Sequence, residues 1–261
     1  MGIGDDLIFL AKAEEQYKET GKKIVPLYHA GWNTLYDNVE FITKTKDENS
    51  LTMNARDTCA PSDIHIDYYT KGREQTILGE RMIWRPFKPS RYKVRLTKTE
   101  IDTSTFTDFI LINPDYKSTF FSKNKNWGFA KYQELTNRLV EDGHFIVRIK
   151  PGGKYTEPDL ENAANIYSDD LKRSIAIMSR AKLGITYDGF VTHALSGFHI
   201  PVVNIQGGFV DEKTMSYDGN INIGYQHPKT PCGATYSCTH CDEANEYITV
   251  DMVYEACKKL L

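Results

Sequence analysis

The sequence predicts an α/β protein built from strand–helix–strand units, and three features carry that prediction. Between Ser168 and Gly208 a helical pattern, a short apolar run, a tight turn, a second helical pattern and another apolar run follow one another, which is the order of a βαβ unit. The same alternation runs from Phe109 to Ile149, where two apolar runs flank a helical stretch. Composition fits as well: 261 residues, 40% hydrophobic and 26% charged, suffice for one large core or two small ones in an ordinary soluble chain.

Charge and cysteine usage narrow the class. A net charge of −3 gives no global attraction to nucleic acid or anionic lipid, so any such contact must come from a local patch. No apolar run is long enough to span a bilayer, so no transmembrane segment is expected. The N-terminus carries Asp5, Asp6, Glu14 and Glu15 in place of a signal-peptide pattern, so a cytoplasmic protein is expected. Five cysteines, three of them close together, fit a reducing compartment better than a disulfide framework.

In chain order, Gly2-Ile3-Gly4-Asp5 reads as a turn ahead of a helix with Leu7, Leu10, Ala11 and Tyr17 on one face. Gly21 ends that helix and a strand is expected over 24–28. On physical grounds alone, the glycines serve the turn and the acids complement the helix dipole. The polar segment 43–57 predicts an exposed loop, and 65–69 a short strand. From Arg81 to Lys98 there are seven cations and no acid, interleaved with Trp84, Phe87 and Tyr92. Such a stretch reads first as a solvated edge around a proline-containing connector. The alternative is a surface for a polyanion, with Arg85 and Arg91 as its contacts. A domain boundary is expected between Thr99 and Thr107, dividing the chain into 1–103 and 104–261.

The second half opens with a strand at Phe109–Ile112 and a loop over 118–127. Lys125-Asn126-Trp127 then leads a helix with Phe129, Tyr132, Leu135 and Leu139 facing inward. Gly143 stops it, a strand follows over 145–149, and Pro151-Gly152-Gly153 closes that strand beside the expected cleft. Ser168 is positioned to cap a helix carrying Leu171, Ile175 and Met178. A strand over 183–187 runs into the Asp188-Gly189 turn, and the next helix, with Thr192 and His193 in its first turns, ends near Gly197. A strand over 200–205 and Gly207-Gly208 complete the unit. Ligands bind at the carboxyl ends of such strands. The first amides after Gly189 suit a phosphate, and Asp188 beside them suits sugar hydroxyls.

Cys232, Cys238 and Cys241 have five and two residues between them, with His227 and His240 nearby. Thiolates and imidazoles in this number suit a tetrahedral metal. The spacing departs from common zinc ribbons, which favours reduced structural thiols over a structural zinc. Cys257 lies with Val253, Ala256 and Leu260 on the apolar face of the last helix and belongs to the core.

The segment Tyr187-Asp188-Gly189-Phe190-Val191-Thr192-His193-Ala194-Leu195, followed by Ile200-Pro201-Val202 and Gly207-Gly208, resembles the donor-binding motif of heptosyltransferase-like (family 9) glycosyltransferases. The acid-to-histidine spacing is kept, while Phe190 stands at the family's usual glycine position. Gly2-x-Gly4-Asp5 and Lys125-x-Trp127 resemble two further motifs of the same family. The resemblance implies a GT-B-like fold, two Rossmann-like domains facing a cleft, with an N-terminal domain reduced because the family's first strand would precede Gly2. It implies inverting transfer from a nucleotide-diphosphate sugar, with Asp5 as general base. Lys125, Asp188, Gly189, Thr192, His193, Gly207 and Gly208 would bind the donor, with no cofactor or divalent cation required. Ser168-Asp169-Asp170 reads as a helix start, not as a metal-binding Asp-x-Asp. The acceptor class implied is a surface glycan. The basic stretch favours a hydroxymethylated base in DNA as the alternative, and a non-catalytic nucleotide-sugar-binding protein is the third reading.

Overall fold

The computed structural model describes residues 2–27, 33–54, 61–66, 69–102, 106–116, 120–150 and 157–261. Helix α1 (Ile3–Thr20) starts earlier than the sequence predicts: Gly2 is its N-cap, so Gly4 and Asp5 lie in its first turn, not in a turn ahead of it. The Asp5 carboxylate accepts the Gly2 N–H at 2.5 Å, satisfying one donor at the helix start. Leu7, Ile8, Phe9 and Leu10 are all buried, so this end of α1 is enclosed on every side and shows no single apolar stripe. Gly21 ends it with φ +70, a left-handed cap that glycine adopts without a Cβ penalty.

Strands β1 (Lys23–Pro26), β2 (Ser50–Asn54) and β3 (Ile64–His65) form a parallel sheet in that order. The exposed loop expected over 43–57 holds over 43–49, but residues 50–54 form strand β2, and 55–57 lie outside the described residues. As the middle strand, β2 is covered, and Ser50, Thr52, Met53 and Asn54 are buried. The Thr52 hydroxyl donates to the carboxylate of exposed Asp63 at 2.7 Å. Strands β4 (Tyr69–Thr76) and β5 (Gly79–Trp84) make an antiparallel hairpin, which takes Arg81 and Trp84 out of the expected connector. The outer edge of β5 is tied to the cysteine segment: Met82 N–H donates to the Gly233 carbonyl (2.7 Å) and Thr235 N–H to that of Glu80 (3.0 Å). A short helix, α2 (Lys98–Asp102), precedes the second sheet.

That sheet comprises β6 (Phe109–Ile112), β7 (Ile146–Lys150), β8 (Ala164–Tyr167), β9 (Ala181–Tyr187), β10 (Val202–Gly207) and β11 (Ile221–Gly224). All six strands are parallel, in the order β11-β10-β9-β6-β7-β8. Helices α3 (Phe129–Glu141), α4 (Leu171–Met178) and α5 (Phe190–Gly197) lie between strands, and α6 (Thr239–Tyr247) and α7 (Val250–Leu260) follow the last one. Asp170, not Ser168, caps α4, its carboxylate accepting the Arg173 N–H at 3.1 Å. Lys125 ends a short 3-10 turn, Phe120–Lys125, and α3 begins only at Phe129. The Pro151–Gly153 run falls outside the described residues.

Alternate strand residues feed two hydrophobic layers. Ile110, Ile112, Leu183, Ile185, Val203 and Ile205 pack with α3 and α7 on one face. Phe109, Leu111, Val147 and Val202 pack with α4 and α5 on the other, and that cluster continues through α1 to Ile24, Phe41 and Met53 of the N-terminal segment. The three-stranded sheet and the hairpin precede residue 104 and the six-stranded sheet follows it, while one apolar cluster runs through both. Gly197 permits part of this contact: a Cβ there would stand 2.1 Å from the Tyr92 carbonyl oxygen.

Candidate functional site

The strand order fixes where a ligand crevice lies. Successive strands run from β6 outward through β7 to β8, then the chain crosses to β9 on the other side of β6. Helices from the two directions leave a gap outside the carboxyl ends of β6 and β9, the binding place in open α/β sheets. Asn113 and Asp115 follow β6 there, and Asp188 follows β9. Asn113 ties the two strand ends together, its amide donating to Thr186 Oγ1 at 3.2 Å.

Lys125 reaches into this gap. Its Nζ donates to Asp188 Oδ2 at 2.6 Å and to the Asp188 carbonyl at 3.1 Å. The side chains are only 13% and 7% exposed, so the pair is shielded from water. Burial alone would raise the Asp188 carboxyl, but the Lys125 ammonium, with His193 behind it, holds it below the ordinary carboxylate range. Phe209 lies under the same ammonium, 5.0 Å from ring centre to Nζ.

His193, one turn into α5, is buried, and burial pushes its pKa down despite the opposing charges of Asp188 and Asp5. Its Nδ1 lies 2.8 Å from the Tyr217 hydroxyl. The opposite edge of the ring faces α1: a Cβ on Gly4 would be 2.9 Å from His193 Cδ2 and 3.4 Å from Nε2 and from the Phe190 amide nitrogen. The first turn of α1, with Asp5, therefore rests against the first turn of α5. Two helix N-termini and the Lys125 ammonium converge there, with the Asp188 carboxylate paired to that ammonium and Asp5 in the first turn of α1.

Other expected residues sort differently. Thr192 is fully buried, and its hydroxyl is engaged inside, donating to the Tyr187 carbonyl (2.9 Å). Gly207 and Gly208 end β10 against α6: a Cβ on Gly208 would be 2.9 Å from His240 Nε2 and 3.0 Å from Ala244 Cβ. Several cations of the basic stretch are engaged by neighbouring acceptors at the surface. Lys88 pairs with Asp218 (2.7 Å), Arg95 with Glu40 (2.9 Å), and Arg91 donates to the Asp218 carbonyl.

Three groups escaped the sequence reading. Arg148, fully buried in β7, pairs with buried Asp115 through both carboxylate oxygens, bracing the end of β6; the Asp115 position, just past a strand end, was the available signal. Asp6 is fully buried and accepts from the Tyr36 hydroxyl at 3.0 Å, which together with burial pushes the phenol pKa up. Tyr217 had no local signature.

A separate cluster lies beyond β10. Sγ atoms of Cys232, Cys238 and Cys241 all fall within 4.8 Å of one another, and all three residues are buried. The Cys232–Cys241 separation is 3.2 Å, so the thiols are free. Donation from Cys241 outweighs burial and lowers Cys232 to about 6, while Cys241 is pushed up. Tetrahedral thiolates on zinc stand roughly 3.8 Å apart, so this set fits a metal after small adjustments, or three thiols sharing one negative charge. His240, beside them, keeps a buried Nδ1 without a hydrogen-bond partner among the described residues.

No helix among the described residues is long and apolar enough to cross a membrane. No protein-family model matches the sequence, and no curated protein matches it. Solved structures do. A glycosyl transferase family 9 structure from Veillonella parvula aligns over 100% of this chain and 94% of its own, at 12% identity and a TM-score of 0.65. The ADP-heptose lipopolysaccharide heptosyltransferase II of E. coli aligns over 64% of this chain and 53% of its own, at 14% identity and a TM-score of 0.48. The iron-containing dodecameric glycosyltransferase TibC of enterotoxigenic E. coli aligns over 66% and 48%, at 16% identity and 0.49. The chain spans about half the length of these last two. From end to end, the chain has the fold of a glycosyltransferase family 9 structure.

Proposed function

We propose that the protein is an inverting glycosyltransferase that moves a sugar from a nucleotide-diphosphate donor to an acceptor hydroxyl, in a surface glycan. The observation that carries this reading is the meeting of α1, α5 and Lys125 at the crevice between β6 and β9. The reading seats a diphosphate there, with Lys125 and the first amides of α5 meeting its oxygens and His193 beside them. Asp5 takes the acceptor hydroxyl proton as that oxygen bonds to the anomeric carbon. The bond from that carbon to the diphosphate breaks on the opposite face, which inverts the centre. Lys125 and the amides stabilise the charge gathering on the leaving group, so the reading calls for no divalent cation.

Asp5→Asn tests the assignment without removing the helix cap, because the amide oxygen still accepts the Gly2 N–H. The expected result, in assays with a panel of nucleotide sugars, is unchanged donor binding and a loss of transfer of about a hundredfold or more. Near-normal turnover in the variant would leave Asp5 as a cap alone. Donor binding with no turnover by the wild type on any acceptor would favour the non-catalytic reading.

A further inference from the structure

One flank of His193 is Asp188 and Lys125; the other is Tyr217, from the segment between β10 and β11. Both rings are 5% exposed and meet nearly edge to face, with centroids 5.7 Å apart and planes at 69°. Arg91 lies over the tyrosine, 5.9 Å from its centroid, and is itself fastened to the Asp218 carbonyl. The phenol is thereby held with its oxygen on Nδ1, while the Nε2 edge of the imidazole faces Gly4 and the first turn of α1.

We propose that Tyr217 is a positioning residue that donates its hydroxyl proton to His193 Nδ1. It thereby fixes the neutral tautomer with its proton on Nε2, on the edge of the ring nearer α1. The inference rests on the donor-site reading for its purpose: a neutral Nε2–H there donates to an oxygen of the diphosphate. Two observations favour this direction of donation over the reverse. A buried phenol needs an acceptor, and Nδ1 is within reach. The Asp5 carboxylate on the far side also favours a proton on the edge facing α1. The charges around the ring are Asp188 and Lys125 at the crevice, Asp5 on α1 and Arg91 beyond Tyr217. Burial, with Lys125 acting in the same direction, outweighs Asp188 and Asp5 and favours the neutral ring. The arrangement parallels other histidines whose working nitrogen is chosen by the hydrogen bond made at the other.

The test is nitrogen NMR of the histidine rings in uniformly labelled, ligand-free protein, with His193 identified by its absence in His193→Gln. The expected spectrum shows a bare Nδ1 and a protonated Nε2. In Tyr217→Phe the ring should become a mixture of tautomers and titrate at higher pH, because the lost donation favoured the neutral form. Affinity for inorganic pyrophosphate should fall about three- to tenfold in Tyr217→Phe. In a His193→Gln background, where the amide nitrogen replaces Nε2, the same change should cost less than about twofold. A protonated Nδ1 in the wild type, or identical His193 spectra in wild type and Tyr217→Phe, overturns the proposal. If Tyr217→Phe does not fold, the wild-type spectrum alone decides the tautomer. A fixed Nε2–H tautomer in a protein that binds no pyrophosphate would instead overturn the donor-site reading and leave the hold of Tyr217 on the ring in place.

Discussion

Replacing Lys125 by Met should destabilise the fold in a way that depends on pH. The ammonium is the partner of a carboxylate that is 7% exposed, at 2.6 Å. At an effective dielectric of ~20, the bare attraction at that distance is about 6 kcal/mol, much of it offset by the cost of desolvating both charges. Removing one partner forfeits the attraction and keeps the cost, so the expected loss is about 3–5 kcal/mol. For a chain of this size the lower end corresponds to a fall of roughly 6–12 °C in Tm. The sign with pH follows from Asp188. Its folded pKa lies below its unfolded value, so the pair contributes fully above the ordinary carboxylate range and is lost as pH falls through the folded pKa. In Lys125→Met burial prevails and the carboxyl rises. The deficit is then greatest near about pH 7 and closes as pH drops and the carboxyl enters neutral. Urea unfolding at neutral and mildly acidic pH measures both effects. Lys125→Met with Asp188→Asn should recover most of the loss, because the orphaned charge is gone. A deficit under about 1 kcal/mol, or one that does not shrink on acidification, would refute a desolvated pair at this place.

Gly197→Ala should cost about 2 kcal/mol or more in urea unfolding, since its Cβ would meet backbone, the Tyr92 carbonyl, at 2.1 Å. If Cys232, Cys238 and Cys241 hold a metal, elemental analysis should find about one zinc or iron per chain, and Cys241→Ser should lose it. Metal-free protein of full stability would assign them as thiols. Arg85→Ala with Arg91→Ala should leave any weak binding to hydroxymethylated duplex DNA nearly unchanged, because Arg91 is engaged with Asp218. Steeply salt-dependent binding that the pair of substitutions abolishes would instead make the basic stretch a DNA track.

The second half of the fold was legible because its strands are apolar runs and its helices carry a period, as with Leu135 and Leu139 on α3 or Val253 and Cys257 on α7. The N-terminal half was harder for a physical reason. Strand β2 is polar in sequence yet central in its sheet, and its polar side chains are satisfied by partners such as Asp63 that no local pattern reveals. A similar limit applies at the site. Asp188 and His193 stood out by spacing, and Lys125 by its place before a helix, since each belongs to a local motif. That Lys125 closes on Asp188, 63 residues away, is a property of the sheet crossing between β6 and β9. Tyr217 lies 24 residues beyond His193, in a segment with no periodicity, and only the packed structure brings its hydroxyl to Nδ1. Glycine was the local signal most easily misread. Gly4 looked like turn punctuation, yet it sits inside α1, where hydrogen in place of a side chain lets His193 approach. Its effect is therefore exerted at the ring of another helix, so Gly4→Ala should disturb His193 before it disturbs α1.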